Sequence, residues 1–155
     1  MKKFVLLVLV LIVSFSCNND DDNVDCSLGI PEPPKTLFID LIDTDGNNLI
    51  ENETYNPEEI FVRFGNTVIT GVVVTEVQEV ENFIALSVIG QEGENTFEIV
   101  LNSEDTDTVV LEISKPADSG PCPSSVFNLD AVTYNDISQT IQDFNGEFLI
   151  TVVRE

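Results

Sequence analysis

Three oxygen-bearing side chains, Asp43, Asp45 and Asn47, alternate along one short acidic segment. Carboxylate and amide oxygens at this spacing are the hard ligands that Ca²⁺ takes in proteins. The segment is not an EF-hand loop, because Gly46 and Thr54 do not fall where that loop needs its Gly and its bidentate Glu. The other interpretation is a turn in which Asp and Asn cap the backbone and Gly supplies a positive φ angle. The composition favours the turn and leaves a Ca²⁺ site as the alternative.

Side chains for enzymatic catalysis are present by type but not in a recognisable arrangement. The chain has no His, which removes the commonest general base, and it has no Trp. Ser, Thr and carboxylates are plentiful, but no G-x-S-x-G or S-x-x-K motif and no glycine loop for phosphate accompanies them. A glycosidase would also need a substrate cleft, usually with aromatic walls. We therefore expect no enzymatic activity, with a small hydrolase ranked behind a binding module and a Ca²⁺-binding β module.

The start of the chain combines positive charge, an apolar run and a cysteine. Two lysines precede the apolar residues 4–13, a run too short to span a bilayer and of the length of a signal-peptide core. Residues 14–17 (SFSC) follow and resemble the lipobox of bacterial lipoproteins, although the family usually has an aliphatic residue where Ser14 stands. The resemblance implies cleavage before Cys17, transfer of diacylglycerol to its thiol and acylation, as with palmitate, of the new amino end. An ordinary secretory signal with an unmodified Cys is the alternative.

Residues 18–23 form an acidic spacer with the sequence NNDDDN. A flexible linker has this composition. The segment also resembles the acidic export signal that follows the lipidated Cys in surface lipoproteins of Bacteroidota-type bacteria. That resemblance implies a domain exposed on the outer membrane and held there by acyl chains, which contribute about 0.8 kcal/mol per buried CH₂. A plain linker is the alternative, so the leaflet that carries the anchor is left open.

Two cysteines, Cys26 and Cys122, remain once Cys17 is acylated. An even number of thiols in an oxidising compartment favours a disulfide. For a closed loop of roughly a hundred residues the chain-entropy estimate is about 4–5 kcal/mol of stability. Two free thiols are the alternative, because the sequence does not say whether the two sites lie close enough to be bridged.

The charge balance restricts the partners of the exported domain. Removal of residues 1–16 takes away two lysines and no acidic residue, which leaves four basic side chains against 28 acidic ones. Such a surface repels phosphates and anionic head groups, so direct nucleic-acid binding is not expected. Ca²⁺, basic proteins and basic peptides remain as cationic partners, and solubility alone is the simpler explanation.

Short apolar-alternating segments recur from residue 36 to the end of the chain. Val, Ile, Thr and Phe dominate them, and no segment keeps a helical period, which favours strands. We predict strands at 36–42, 59–64, 67–75, 82–89, 96–101, 108–113, 127–134, 140–144 and 147–153. Asn145-Gly146 between two alternating segments is a strong hairpin signal, and residues 138–142 could instead form a helical turn. Many short strands with frequent turns indicate a single antiparallel β-sandwich.

Residues 41–50, followed by Tyr55, Pro57 and Ile60, look similar to the first β-hairpin of many small Bacteroidota surface lipoproteins. Those proteins share an Ig-like or transthyretin-like β-sandwich and mostly lack an assigned function. The resemblance implies a fold and a location and no activity. A second resemblance concerns residues 107–109 (DTV), which look like the O-glycosylation pattern of Bacteroidota secreted proteins. It implies that Thr108 is the glycosylated residue.

These observations predict a signal peptide over 1–16, a lipidated Cys with an acidic and Pro-rich linker over 17–35, and an Ig-like β-sandwich over 36–155. The expected role is a membrane-anchored, non-catalytic binding, adhesion or envelope-accessory module. Its ligand, an extracellular protein or a glycan, is not specified, and the loops 43–53 and 102–107 are the predicted contact surfaces. This part of the prediction depends on fold and location alone.

Overall fold

The structure is a computed structural model that describes residues 32–116 and 126–154. Within these ranges the chain forms ten β-strands and a short 3-10 helix, Gln78–Val80. The strands are β1 (Thr36–Ile42), β2 (Phe61–Phe64), β3 (Thr67–Thr70), β4 (Ile84–Ser87), β5 (Gly93–Val100), β6 (Thr106–Ser114), β7 (Asn128–Tyr134), β8 (Ile137–Ser138), β9 (Gln142–Phe144) and β10 (Glu147–Val153). They form a four-stranded sheet, β4-β1-β10-β9, and a six-stranded sheet, β3-β2-β5-β6-β7-β8. The two sheets pack together, which confirms the predicted all-β sandwich.

The core lies between the two sheets and is built by alternation along the strands. Leu37, Ile39 and Leu41 of β1 are fully buried, whereas the residues between them are partly exposed. β6 in the opposite sheet buries every second residue in the same way. Phe97 and Tyr134 are the largest fully buried side chains of the described residues. Burial of each large apolar side chain contributes about 1.5–3 kcal/mol, so this alternation fixes which face of each strand points inward.

One strand pair departs from the predicted antiparallel arrangement. β1 and β10 run parallel, in a register that places Leu37 beside Phe148 and Ile42 beside Val153. The other pairs of named strands are antiparallel. The alternating pattern of a strand fixes its faces but not the direction of its neighbour, and these two strands lie far apart in the sequence. The parallel pair therefore has no local sequence signal.

The predicted first hairpin, over residues 41–50, is mostly absent. β1 is followed by a single antiparallel bridge between Ile42 and Asn48, and residues 43–50 form no strand that pairs with β1 as a hairpin. The side-chain oxygen of Asn48 accepts the backbone N–H groups of Ile50 and Glu51, at 2.8 and 2.9 Å, which turns the chain away from the sheet. The chain then enters β2, which belongs to the opposite sheet.

Two further segments differ from their predicted form. The strand predicted over 67–75 ends at Thr70, because Gly71 adopts a positive φ of 66°, and pairing resumes only as a single bridge between Val73 and Ile84. The helical turn considered for 138–142 does not form, and β8 and β9 occupy parts of that segment instead.

The hairpin signal at Asn145-Gly146 is confirmed. Both residues have positive φ angles, 54° and 86°, as a type I′ turn requires. The turn joins β9 to β10, so that Glu147 pairs with Phe144.

The strands give the sandwich two distinct ends. β1 and β10 finish together at the end where β5 passes into β6, and this end is named the loop end. It consists of residues 43–60, 75–82, 101–105 and 135–136 with Arg154. The opposite end, named the entry end, is where residue 35 leads into β1 and residues 88–92 join β4 to β5. At about 3.3 Å per residue, the seven residues of β1 separate the two ends by roughly 20 Å.

Candidate functional site

The loop end carries a large excess of negative charge. Its acidic residues are Asp43, Asp45, Glu51, Glu53, Glu58, Glu59, Glu76, Glu79, Glu81, Glu104, Asp105 and Asp136. Arg154 is the basic residue of this end, whereas Lys35 and Lys115 lie towards the entry end and Arg63 of β2 faces Glu98 at 3.5 Å. A surface with one sign of charge attracts cationic partners and speeds their approach at low salt.

The predicted Ca²⁺ ligands form a closed turn at this end. One carboxylate oxygen of Asp43 accepts the backbone N–H groups of Asp45 at 2.9 Å and of Asn47 at 2.8 Å. The side-chain amide of Asn47 donates to the other carboxylate oxygen at 2.9 Å. Gly46 between them has a φ of 86°. The hydrogen bonds from the Asn47 side chain and backbone favour the ionised form and lower the pKa of Asp43.

This geometry agrees with the turn interpretation of the segment. Asp43 and Asn47, two of the three proposed ligands, use their side chains on each other and on the turn backbone. Over residues 32–116 and 126–154, no group of three or more His, Cys, Asp or Glu side chains is placed to hold a metal ion. A Ca²⁺ ion would have to displace the Asn47 amide from Asp43, and the site stays a prediction.

A polar cleft of about 650 Å³ lies between this turn and the segment before β4. Its lining residues are Asp40, Ile42, Gly46, Asn47, Asn48, Glu51, Asn52 and Phe83. The lining contains two carboxylates, three side-chain amides and one aromatic ring but no Lys or Arg. Carboxylates near a ring face are the groups that receive an ammonium or a guanidinium, so the cleft is suited to cationic groups.

Asp40 is the least exposed carboxylate of the cleft. Asn48 donates its side-chain amide to Asp40 at 2.8 Å and so holds the carboxylate in place. Burial raises the pKa of Asp40, the hydrogen bond from Asn48 opposes that rise, and the nearby charge of Glu51 adds to it. A cation in the cleft would relieve the repulsion between Asp40 and Glu51.

A second group of polar side chains at the loop end surrounds Arg154. Its guanidinium binds Asp105 through two nitrogens, Nη2 to Oδ1 at 2.8 Å and Nη1 to Oδ2 at 3.0 Å. Tyr55 donates its hydroxyl to Asp105 at 2.6 Å and also contacts the guanidinium, which lies 5.4 Å from the centre of the Tyr55 ring. Paired hydrogen bonds of this kind are among the stronger polar contacts in proteins.

The buried part of this group is Asp107, whose residue surface is 2% exposed. Tyr134 donates its hydroxyl to Asp107 at 2.6 Å, and Asn135 donates its side-chain amide at 2.7 Å. Arg154 approaches the same carboxylate at 3.3 Å. The six residues Tyr55, Asp105, Asp107, Tyr134, Asn135 and Arg154 are named the Arg154 network.

Ionisation within the Arg154 network follows from these contacts. Burial and the hydrogen bond to Asp105 raise the pKa of Tyr55 to about 12. The hydrogen bonds from Arg154 and Tyr55 lower the pKa of Asp105. Burial, followed by the contact with Asp107, raises the pKa of Tyr134 far above its ordinary value. The contacts of the network therefore favour the neutral form of both tyrosines and the ionised form of Asp105.

The Arg154 network connects four separate parts of the chain. It ties Tyr55 from the first long loop to Asp105 and Asp107 at the start of β6, to the end of β7 and to the residue after β10. The backbone N–H of Arg154 also donates to the carbonyl of Ile42 at 2.9 Å, which continues the parallel β1–β10 pairing. Every buried side-chain N or O of the described residues has a partner. The network thus holds the loops of this end in fixed positions.

The other predicted site residues fall in two classes. Cys17, Cys26 and Cys122 lie outside the described residues, as do the leader and the acidic spacer, so lipidation and the disulfide stay predictions. Thr108 lies on β6 with an exposed side chain, and its backbone exchanges two hydrogen bonds with Asn135, both at 2.8 Å. The O-glycosylation of Thr108 likewise stays a prediction.

Sequence reasoning did not find the Arg154 network. The loop 102–107 was expected to be an exposed acidic contact surface, but Asp105 and Asp107 are used in tertiary contacts. A signal for this existed in the composition, since the network uses both tyrosines of the chain and one of its six basic residues. Scarce polar residues of this kind in a strongly acidic chain are candidates for buried pairing.

No family model, no curated protein and no solved structure matches this chain. In the part of the chain that the structure describes, no helix combines the length and the apolar character needed to cross a membrane.

Proposed function

We propose that the chain is an exported lipoprotein, anchored to the outer membrane through acyl chains on Cys17, whose single β-sandwich acts as a non-catalytic binding module. Its loop end is the contact surface, and its partners carry positive charge. The resemblance of residues 14–17 to a lipobox supports the anchor, and the resemblance of residues 18–23 to an export signal supports exposure on the cell surface.

The topology gives this proposal an orientation. The tether of residues 17–35 reaches the sandwich at the entry end, where β1 begins. The loop end lies roughly 20 Å away along β1, on the far side of the domain. Because the tether is attached at the opposite end of the sandwich, a lipid anchor on Cys17 would leave the loop end accessible to a partner.

The excess of negative charge at the loop end is the observation that carries the proposal. Its one basic side chain, Arg154, is already paired with Asp105 and Asp107, so it does not neutralise the neighbouring acidic side chains of the cleft. Glu51 and Glu53 are exposed, and Asp40 lines the cleft beside Asn48. Rigid loops with unpaired carboxylates suit recognition of Lys and Arg side chains.

The anchor is tested by labelling cells with a palmitate analogue and comparing wild type with Cys17→Ala. We expect label on the wild-type chain only, together with loss of the chain when protease is added to intact cells. An unlabelled wild-type chain would contradict the anchor, and a labelled chain that resists protease in intact cells would contradict surface exposure.

The contact surface is tested with an oligolysine peptide as the probe. A variant with Asp45→Asn, Glu51→Gln and Glu53→Gln should bind the peptide about fivefold more weakly than wild type, because three loop-end charges are removed. The matched control, Glu92→Gln, Glu94→Gln and Asp130→Asn, removes three exposed charges outside the loop end. An equal loss of peptide affinity in both variants would show that net charge alone attracts the peptide. The loop end would then not be the contact surface.

A further inference from the structure

The outer edge of β10 lacks a partner over its second half. β9 pairs with β10 only through residues 147–149. The N–H of Arg154 points towards β1, where it donates to Ile42. Since backbone groups of successive strand residues point to alternate sides, those of Thr151 and Val153 point to the opposite side, away from β1. Within the described residues no strand pairs with them there, so two N–H and two C=O groups face outward.

A groove of about 390 Å³ runs along this open edge. Its lining residues are Tyr134, Asn135, Ile137, Gln139, Thr151, Val152, Val153 and Arg154. Ile137 on the far wall is 66% exposed and Val153 on the near wall is 57% exposed, both among the most exposed large apolar residues of the described chain. Unpaired backbone groups beside exposed apolar side chains are the features that receive an added strand.

The edge also lacks the protection that exposed strands usually carry. Proteins guard such edges with Pro, Lys, bulges or inward charges, because a bare edge pairs with other chains. Residues 150–153 read Ile-Thr-Val-Val, without Pro, Gly or charge. β3 is also at a sheet edge and exposes Val68 to 57%, which makes it a matched comparison.

Charge determines which extended segment fits this groove. Asp136 lies in the turn before Ile137, and Asp143 lies on β9, where it pairs with Phe148 one residue from the end of the β9–β10 pairing; both are exposed. The guanidinium of Arg154 is held by Asp105 and Asp107. A second copy of this chain would bring a net charge of −22 against a surface of the same sign. A positively charged partner is therefore favoured over self-association.

We propose that the open edge of β10 is a docking site at which an extended segment of a basic protein adds to the four-stranded sheet as a new strand. The backbone of that segment pairs with Thr151 and Val153. An apolar side chain on its inward face lies near Ile137, one on its outward face lies near Val153, and its Lys or Arg side chains lie near Asp136 and Asp143. This site is separate from the polar cleft of the loop end and does not depend on the lipid anchor.

The test uses the full chain in mild detergent and a short peptide of alternating Val and Lys. Two further peptides carry N-methyl groups on all the Val residues or on all the Lys residues, so that each blocks one edge of the peptide strand at unchanged charge. We expect one of the two methylated peptides to bind at least about tenfold more weakly than the unmethylated one, because about two strand hydrogen bonds are lost. We also expect the amides of Thr151 and Val153 to exchange with solvent more slowly in the presence of the unmethylated peptide.

A matched pair of variants locates the site. Val153→Lys should weaken binding of the unmethylated peptide about tenfold, whereas Val68→Lys, with the same change of charge and exposure, should change it less than about twofold. Equal binding of all three peptides would overturn the proposal, since charge alone would then explain the affinity. Protection of the β3 amides instead, or protection of Thr151 and Val153 that rises with protein concentration in the absence of peptide, would overturn it as well.

Discussion

The two acidic loops of the loop end have similar composition and opposite organisation. In residues 43–47 the polar contacts are local, since Asp43 binds groups only two to four residues further along the chain. In residues 101–107 the side-chain contacts join parts that are far apart in the sequence, since Asp105 binds Tyr55 and Arg154, which are 50 and 49 residues away along the chain. The first loop is a turn that its own residues specify, and the second is part of a tertiary network.

This difference separates the carboxylates that can meet a partner from those that hold the fold. Asp107 is 2% exposed and has three protein partners, so it is structural. Asp45 and Glu51 are exposed, which leaves their carboxylates accessible. Changes in the Arg154 network should therefore affect stability, whereas changes in the first loop should affect binding.

The largest expected effect is that of Asp107→Ala. The substitution leaves the Tyr134 hydroxyl buried without an acceptor and removes one carboxylate from Arg154, which should cost about 3 kcal/mol of unfolding free energy. Equilibrium urea unfolding measures this quantity. Asp45→Ala is the control and should change it by less than about 0.5 kcal/mol. Similar losses for both variants would remove the distinction between the two loops.

A smaller effect is expected from alkaline pH. The pKa of Tyr55 is raised from 10.0 to about 12, so the folded state keeps a proton that the unfolded state releases. Its contribution to stability is therefore present below pH 10 and is lost as the pH rises through about 12. Tyr55→Phe should make the decline over this window shallower in urea unfolding. If the slope of unfolding free energy against pH is the same in Tyr55→Phe and in wild type, Tyr55 has the same pKa in the folded and unfolded states.

The smallest expected effect is that of Ca²⁺ on thermal unfolding. Because the Asp43 carboxylate already accepts hydrogen bonds from Asn47 and from the turn backbone, we expect the same melting midpoint with Ca²⁺ and with EDTA. A Ca²⁺-dependent rise of the melting midpoint that disappears in Asp43→Asn would instead establish the metal site. Residues 43–47 would then be stabilised by a bound ion.

Sequence reasoning located those parts of the fold whose signals are local. The bounds of β1 and β10 match the predicted strands, because alternation of apolar residues over seven positions fixes each strand and its inward face. The Asn145-Gly146 turn was predicted because only few residue types adopt positive φ angles readily. The capped turn at Asp43 was favoured for the same reason.

The parts that escaped prediction depend on long-range contacts. The parallel pairing of β1 with β10 joins residues 37 and 148, and nothing near either residue encodes it. Asn48 ends the first hairpin through side-chain hydrogen bonds that compete with strand pairing. Arg154 finds Asp105 only once both sheets have assembled, so its role becomes visible in the folded structure.

Hydrogen exchange, compared between wild type and Arg154→Gln, tests whether the Arg154 network holds residues 101–107 in place while residues 43–47 stay independent of it. We expect Arg154→Gln to speed exchange of the Leu101 amide, which donates to the Asp105 carbonyl, and of the amides near Tyr55, and to leave exchange of the Asn47 amide unchanged. An equal increase of the exchange rate in residues 43–47 and in residues 101–107, or no increase in either, would contradict this expectation.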